Sequence, residues 1–238
     1  MSKNIAIITA GGSGDRMDSQ VPKQFLDLNG IPVIIHTLSK FEKCDDIDEI
    51  IVVCLHGWED SLRKLASEYN ITKLVTIVTG GNNSQESVSR GVDFMVENNY
   101  SDDDVVIVHE SVRPFISDRI IRDNIKTCSR YGNSVTAIRG NESFLYSEDG
   151  VSSEKHYMRE AMYMVQTPQT FKLGVLVGAL NEAKKRDVVF QSLYLMMSEL
   201  KYVPLYIVDG DRFNIKLTYP EDLRLFETLV SLTECDID

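Results

Sequence analysis

A chain of 238 residues with 43% hydrophobic and 26% charged residues has the make-up of a globular protein with one large core, and it excludes a disordered, collagen-like or coiled-coil chain. Its 25 Lys and Arg against 36 Asp and Glu give a net charge of -11, which repels phosphate backbones and anionic lipid and argues against nucleic-acid or membrane partners. Cys44, Cys54, Cys128 and Cys235 lie far apart without a C-x-x-C pair, so no zinc or dithiol motif is available, and scattered thiols suit a reducing cytoplasm.

In chain order, residues 5–9 open with a short, mostly apolar run. That run is too short for a signal peptide, and nothing approaches the roughly 20 apolar residues of a membrane span, so it reads as a first strand of a soluble cytoplasmic protein. A helix is expected at 34–41, a strand at 49–54, a helix at 59–69, a strand at 75–79 and a helix at 84–97. Strand 105–109, helix 118–129 and strand 134–138 follow. The helices carry apolar residues at spacings of three and four, with Ser, Asp or Pro near their starts. The strands are short, β-branched runs, and the first are almost wholly apolar, as strands buried on both faces are. Residues 140–162 break the rhythm: they are polar, lack a helical period, and hold the turn signal Asp149-Gly150. They read either as a β-arm reaching off the sheet or as a surface excursion. Helices at 173–186 and 190–200, a strand at 205–208 and a helix at 220–232 close the pattern. Alternating strands and helices predict an α/β fold, a Rossmann-like, mostly parallel sheet flanked by helices. No repeat, linker or low-complexity tract divides the chain, so residues 1–238 are expected to form one domain.

Chemistry concentrates after the first strand, where Ala10-Gly11-Gly12-Ser13-Gly14-Asp15-Arg16 is followed by Pro22-Lys23-Gln24-Phe25. Three glycines in four positions let backbone N–H groups approach a phosphate, and Arg16 and Lys23 add two cations. No Gly-Lys-Ser/Thr ends the loop, so it is not a Walker A motif. It also lacks the final glycine of a dinucleotide fingerprint.

This A-G-G-x-G-x-R-M and P-K-Q-F-L pattern resembles the nucleoside-triphosphate loop of the sugar nucleotidyltransferases, specifically the cytidylyltransferases that activate methylerythritol phosphate or ribitol phosphate. Four further segments are similar to that family's motifs and occur in its order: Gly80 to Val88, His109-Glu110-Ser111-Val112-Arg113-Pro114-Phe115, Gln166-Thr167-Pro168-Gln169-Thr170-Phe171, and Asn214-Ile215-Lys216-Leu217-Thr218 with Pro220 to Leu223. Together they span almost the whole chain.

The resemblance implies the nucleotide-diphospho-sugar transferase fold and attack of a polyol-phosphate oxygen on the α-phosphorus of CTP. A phosphate monoester with a second pKa near ~6 needs no general base, in keeping with the absence of an obvious Ser/His/Asp set. By resemblance, Ala10, Gly11, Gly12 and Gly14 hold the nucleotide, Arg16 and Lys23 neutralise its triphosphate, and Lys216 approaches the α-phosphate. Gly80, Gly81, Asn82 and Ser87 match positions that recognise cytosine. Glu110 and Arg113 are expected on the acceptor side, where Arg113 is either an anion clamp or an ion-pair partner of Glu110. Thr167 adds a hydroxyl, and Arg159 matches the family's arginine on a dimerisation arm, here 140–162, that serves the neighbouring subunit of a homodimer. Magnesium is implied by triphosphate chemistry, and no metal ligand is assigned. His109 is expected to be structural.

The chain departs from the family pattern at Glu110, usually Asp, and at Ser84, usually Arg. The arm's D-T-[IVM]-K reads Asn141-Glu142-Ser143-Phe144, and a T-D-x-x-S stretch is replaced by Val188-Val189-Phe190-Gln191-Ser192. Ala10-Gly11-Gly12, His109-Glu110-Ser111-Val112 and Leu55-His56-Gly57-Trp58 look more like the ribitol-phosphate branch, which serves surface-polymer synthesis. Methylerythritol phosphate, the acceptor of isoprenoid synthesis, is the alternative, as is a catalytically impaired CTP-binding paralogue.

Overall fold

The computed structural model describes residues 2–12 and 21–235. A seven-stranded sheet organises them, with the order β11-β7-β10-β6-β1-β4-β5. Its strands are β1 (Asn4–Ala10), β4 (Glu49–Cys54), β5 (Leu74–Thr79), β6 (Val105–Glu110), β7 (Asn133–Arg139), β10 (Tyr163–Lys172) and β11 (Ile207–Asp209). β1 pairs in parallel with β4 and β6, while β10 runs antiparallel to both β6 and β7. The helices are α1 (Val33–Lys43), α2 (Glu59–Glu68), α3 (Ser84–Glu97), α4 (Asp118–Tyr131), α5 (Leu173–Lys185), α6 (Leu193–Glu199) and α7 (Pro220–Cys235).

The alternation of side chains along each strand divides the core in two. Ala6, Ile8, Ile50, Val52 and Ile107 face α1, α2 and α4, meeting Ile34, Leu38, Phe41, Leu62 and Ile120. Ile5, Ile7, Ile51, Val53 and Val106 face the other way, onto Val88 and Met95 of α3, Leu176 of α5 and Met196 of α6. Because both faces are covered, the central strands carry no polar alternation, which is why their sequences are mainly apolar.

A third, smaller cluster positions the functional end. A hairpin of β2 (Asp27–Leu28) and β3 (Ile31–Pro32) packs with α7, burying Leu28, Val33, Val112, Leu217, Phe226 and Val230 together. Phe115 meets Phe226 edge to face, with ring centroids 5.0 Å apart. Leu217 is fully buried, which at about 2 kcal/mol for such a side chain anchors the segment carrying Lys216.

The fold agrees with the sequence reading except at particular elements. β10 was not foreseen, since Gln166, Thr167 and Pro168 read as a loop motif; its register to β7 shifts between Val165 and Gln169, around the proline that has no N–H to donate. The hairpin β2–β3 was also missed. The helix expected from residue 190 begins at Leu193, because Gln85 holds the preceding coil, accepting from Phe190 N at 2.8 Å. Within 140–162, β8 (Leu145–Tyr146) and β9 (Lys155–His156) pair antiparallel around Asp149 and Gly150, so the excursion is a small hairpin. Among the described residues no helix is long and apolar enough to cross a membrane.

Candidate active site

The carboxyl ends of the parallel strands converge beside β1, where the connections leave toward β4 on one side and β6 on the other, the place at which open α/β sheets bind ligands. A cavity of about 470 Å³ opens there. Its walls include Ala10, Gly11, Gly12 and Lys23 after β1, Gly81, Asn82 and Ser87 after β5, and Glu110 and Lys216. A second cavity of about 200 Å³ adjoins it, lined by Glu110, Arg113, Thr167, Gln191 and Lys216 among others. Glu110 and Lys216 therefore belong to both.

The nucleotide-sized cavity is built from close backbone approaches. A side chain at Gly80 would meet the Cys54 carbonyl at 3.1 Å and the Gly11 Cα at 3.2 Å, so the close approach of the loops after β1 and β5 favours glycine at position 80. Gly80 thus lies behind the cavity wall rather than on it. The β5 loop is fastened by the first turns of α3. Asn83 caps that helix by accepting from Glu86 N at 2.8 Å, Glu86 accepts from Asn82 N at 2.9 Å, and Ser87 Oγ accepts from Gly81 N at 3.0 Å. On the opposite wall the buried Gln24 donates to the carbonyls of Ala10 and Gly12, at 2.8 and 3.1 Å. Lys23 Nζ donates to the Leu217 carbonyl at 3.1 Å, joining the glycine loop to the C-terminal segment.

At the junction of the cavities, the Glu110 carboxylate pairs with Lys216 Nζ through one oxygen and with Arg113 Nε, at 2.7 Å, through the other. Burial alone would raise the Glu110 carboxyl, but the Arg113 and Lys216 cations outweigh it and hold its pKa at about 2. Arg113 also donates to the Asn214 carbonyl at 2.7 Å. The ion pair anticipated as an alternative for Arg113 is thus present, and the guanidinium still lines the smaller cavity.

Behind Glu110 runs a polar chain. His109 is fully buried, and its Nε2 faces the Arg113 carbonyl at 3.2 Å, so that nitrogen carries the proton. Nδ1 then accepts from the Thr167 hydroxyl at 3.0 Å, and that hydroxyl accepts from Glu110 N at 3.2 Å. Burial pushes the imidazole pKa down to about 3, which makes His109 a neutral structural link, in line with its sequence reading. Thr167 keeps one lone pair for a ligand hydroxyl.

Of the residues singled out from sequence, Ala10, Gly11, Gly12, Lys23, Gly81, Asn82, Ser87, Glu110, Arg113, Thr167 and Lys216 are gathered around these two cavities. Gly14 and Arg16 lie outside the described residues. Arg159 sits on the arm, 57% exposed and 3.7 Å from Glu160, and lines neither cavity. Sequence reasoning passed over Gln24, Asn83, Gln191, Gln166 and Asn214. Most of these lie in or beside quoted motifs, and an amide inside a motif otherwise made of glycines and cations was the available signal.

Known proteins resemble this chain over nearly its whole length. The chain is 36% identical over 225 residues to the ribitol-5-phosphate cytidylyltransferase of Lacticaseibacillus paracasei, covering 93% of this chain and 95% of that one. It is 35% identical over 234 residues to the 2-C-methyl-D-erythritol 4-phosphate cytidylyltransferase of Clostridium novyi, covering 97% of each. The fold matches the crystal structure of 4-diphosphocytidyl-2C-methyl-D-erythritol synthase from Anaerococcus prevotii with a TM-score of 0.83 over 97% of this chain and 96% of that one, at 23% identity. Residues 4–231 match the family model described as IspD: 2-C-methyl-D-erythritol 4-phosphate cytidylyltransferase, and the chain belongs to that family of CTP-using nucleotidyltransferases.

Proposed function

We propose that this protein transfers the cytidylyl group of CTP to D-ribitol 5-phosphate, giving CDP-ribitol and pyrophosphate. The observation that carries the reading is the shared wall of Glu110 and Lys216 between a glycine-lined cavity of about 470 Å³ and a smaller one holding Arg113 and Thr167. Two anions must meet at that wall. In this reading the triphosphate lies along Gly11, Gly12 and Lys23, while cytosine faces Gly81, Asn82 and Ser87. Arg16, at the end of the glycine loop, adds a cation by resemblance. The acceptor phosphate, a dianion above its second pKa, is drawn by Arg113 and attacks the α-phosphorus. The bond to the β-phosphate oxygen breaks and pyrophosphate leaves. Lys216 at the junction offsets the charge gathering on the α-phosphate, a contribution of positioning and electrostatics rather than proton transfer. Glu110 holds both cations and offers its carboxylate to a polyol hydroxyl.

Magnesium accompanies CTP in this reading. Among the described residues no three His, Cys, Asp or Glu side chains form a metal cage, and Glu110 is already held by two cations.

Ribitol phosphate is favoured over methylerythritol phosphate by Ala10-Gly11-Gly12 and His109-Glu110-Ser111-Val112, and the first-named relative, acting on ribitol 5-phosphate by its name, points the same way. The Clostridium relative keeps the second acceptor in contention. Arg159 belongs, in this reading, to the acceptor site of a second subunit of a cytoplasmic homodimer. Measuring kcat/KM with CTP, Mg²⁺ and each polyol phosphate separates the acceptors. Preference for 2-C-methyl-D-erythritol 4-phosphate would replace ribitol in this proposal, and CTP binding without turnover on any acceptor would leave only a binding protein.

A further inference from the structure

Lys216 stands on a stretch, residues 210–218, that is neither helix nor strand. A lysine with four rotatable bonds on irregular backbone has no intrinsic reason to hold one position, yet Lys216 meets Glu110 at the junction of the two cavities. What fixes this stretch is a pair of buried side-chain amides. Gln166 of β10 donates from Nε2 to the Asp211 carbonyl at 2.8 Å and accepts through Oε1 from Asp211 N at 3.3 Å, so one amide pairs with both main-chain groups of a residue as a neighbouring strand would. The same Oε1 accepts from Asn214 Nδ2 at 3.2 Å, and that nitrogen also donates to the Thr167 carbonyl at 2.8 Å. Gln166 is 7% exposed and Asn214 fully buried. A side chain on Gly210 would collide with Gln166 Oε1, and it would also crowd Ile138 and Thr136 at 3.0 and 3.1 Å. The glycine is therefore what lets the loop close against the amide. Gln166 is satisfied at both ends of its amide and Asn214 at its nitrogen, while among the described residues the buried Asn214 Oδ1 finds no partner. Each bond lost here leaves a further desolvated donor or acceptor, which makes the pair costly to disturb.

We propose that Gln166 and Asn214, with Gly210 making room for them, are positioning residues that set Lys216 against the α-phosphate. The proposal rests on the functional reading above, because it gives that lysine its task, and it adds residues that act on Lys216 through the backbone; the Asn214 main-chain carbonyl also accepts from Arg113. Glu110 alone cannot do this work: it draws Lys216 Nζ toward the wall, whereas the amides decide where the Lys216 backbone starts from. Displacements on the order of 1 Å at a reacting centre cost up to about a hundredfold in rate, so loosening the clamp should be visible in kcat with the glycine loop and the β5 loop unchanged.

The test is a double-mutant cycle with an independent structural readout. Gln166→Leu is expected to lower kcat by about tenfold or more with the KM for CTP changed by less than about threefold. In a Lys216→Ala background it is expected to cause no further loss, since both changes remove the same contribution. Gly210→Ala, which keeps both amides but crowds them, is expected to repeat this pattern and serves if Gln166→Leu does not fold. Hydrogen exchange at 211–217 is expected to quicken in either variant, while β1 and β6 stay protected. Wild-type kcat in the folded variants, losses that add fully to those of Lys216→Ala, or unchanged exchange at 211–217 would each overturn the clamp. A wild-type protein without turnover on any polyol phosphate, together with quickened exchange in both variants, would sink the functional reading and leave the clamp standing.

Discussion

Lys216 and Glu110 carry the chemistry at the residue scale. Replacing Lys216 with Ala removes the cation at the cavity junction and leaves Glu110 with Arg113 as its remaining ion-pair partner. Initial rates of pyrophosphate release should fall by about tenfold or more, equivalent to at least ~1.4 kcal/mol of transition-state stabilisation. Unaltered rates would remove the assigned role. The pH dependence follows from groups that do not titrate near neutrality. Glu110 is held at about 2 and His109 at about 3, so neither changes charge between pH 5 and 9. The acid limb of kcat/KM for the acceptor should then belong to the substrate phosphate near ~6, and it should persist in a Glu110→Gln variant with residual activity. Stability responds differently. The folded His109 stays neutral where the unfolded imidazole, with a pKa of roughly 6.5, takes up a proton. Its contribution is complete above that value and is lost as pH falls from about 6.5 toward 3, at up to about 1.4 kcal/mol per pH unit. Denaturant titrations at pH 7 and 5 should show this slope diminished in His109→Gln.

Among the elements, α3 is the one whose start builds the nucleotide wall. Asn83 both caps the helix and lines the larger cavity. Asn83→Ala should cost about 1 kcal/mol of stability and raise the KM for CTP more than that for the acceptor. A thermal shift of a few degrees with unchanged CTP saturation would separate the cap from the site. The elements also show what a sequence makes legible. β1, β4 and β6 could be read directly because burial on both faces leaves them mainly apolar, and α3 because Ser84 and the spacing of Val88, Val92 and Met95 mark its start and inner face. β10 could not be read that way. Its middle holds Gln166, Thr167, Pro168 and Gln169, whose polarity serves the site and the register shift rather than a core, so function overwrote the strand signal. The glycines and cations of the site were visible through their type and order. The amides that hold them, Gln24, Gln166 and Asn214, were harder to read, because most of their partners are main-chain groups, which leave no mark in the sequence.

On the scale of the whole molecule, the net charge of -11 argues against polyanions, whose binding grows with the number of aligned cations, and not against a small phosphate bound by a few. Lys23, Arg113 and Lys216 gather at one end of the sheet, and the surplus carboxylates are left for the rest of the surface. The arm is the remaining outlying feature. Leu145, Val151, Tyr157 and Met158 are exposed on it, and Arg159 reaches neither cavity of its own chain. If the arm serves a second subunit, excising residues 142–160 should convert a dimer to a monomer in analytical ultracentrifugation and raise the KM for the acceptor without changing that for CTP. A wild-type protein that sediments as a monomer and turns over normally would refute the arm's role. Transfer to ribitol phosphate is read most directly from its product. Incubating the protein with CTP, Mg²⁺ and D-ribitol 5-phosphate and following ³¹P resonances should show the two coupled phosphorus signals of CDP-ribitol growing in step with free pyrophosphate. CTP and ribitol phosphate signals that persist unchanged, with an active wild-type fold, would contradict it.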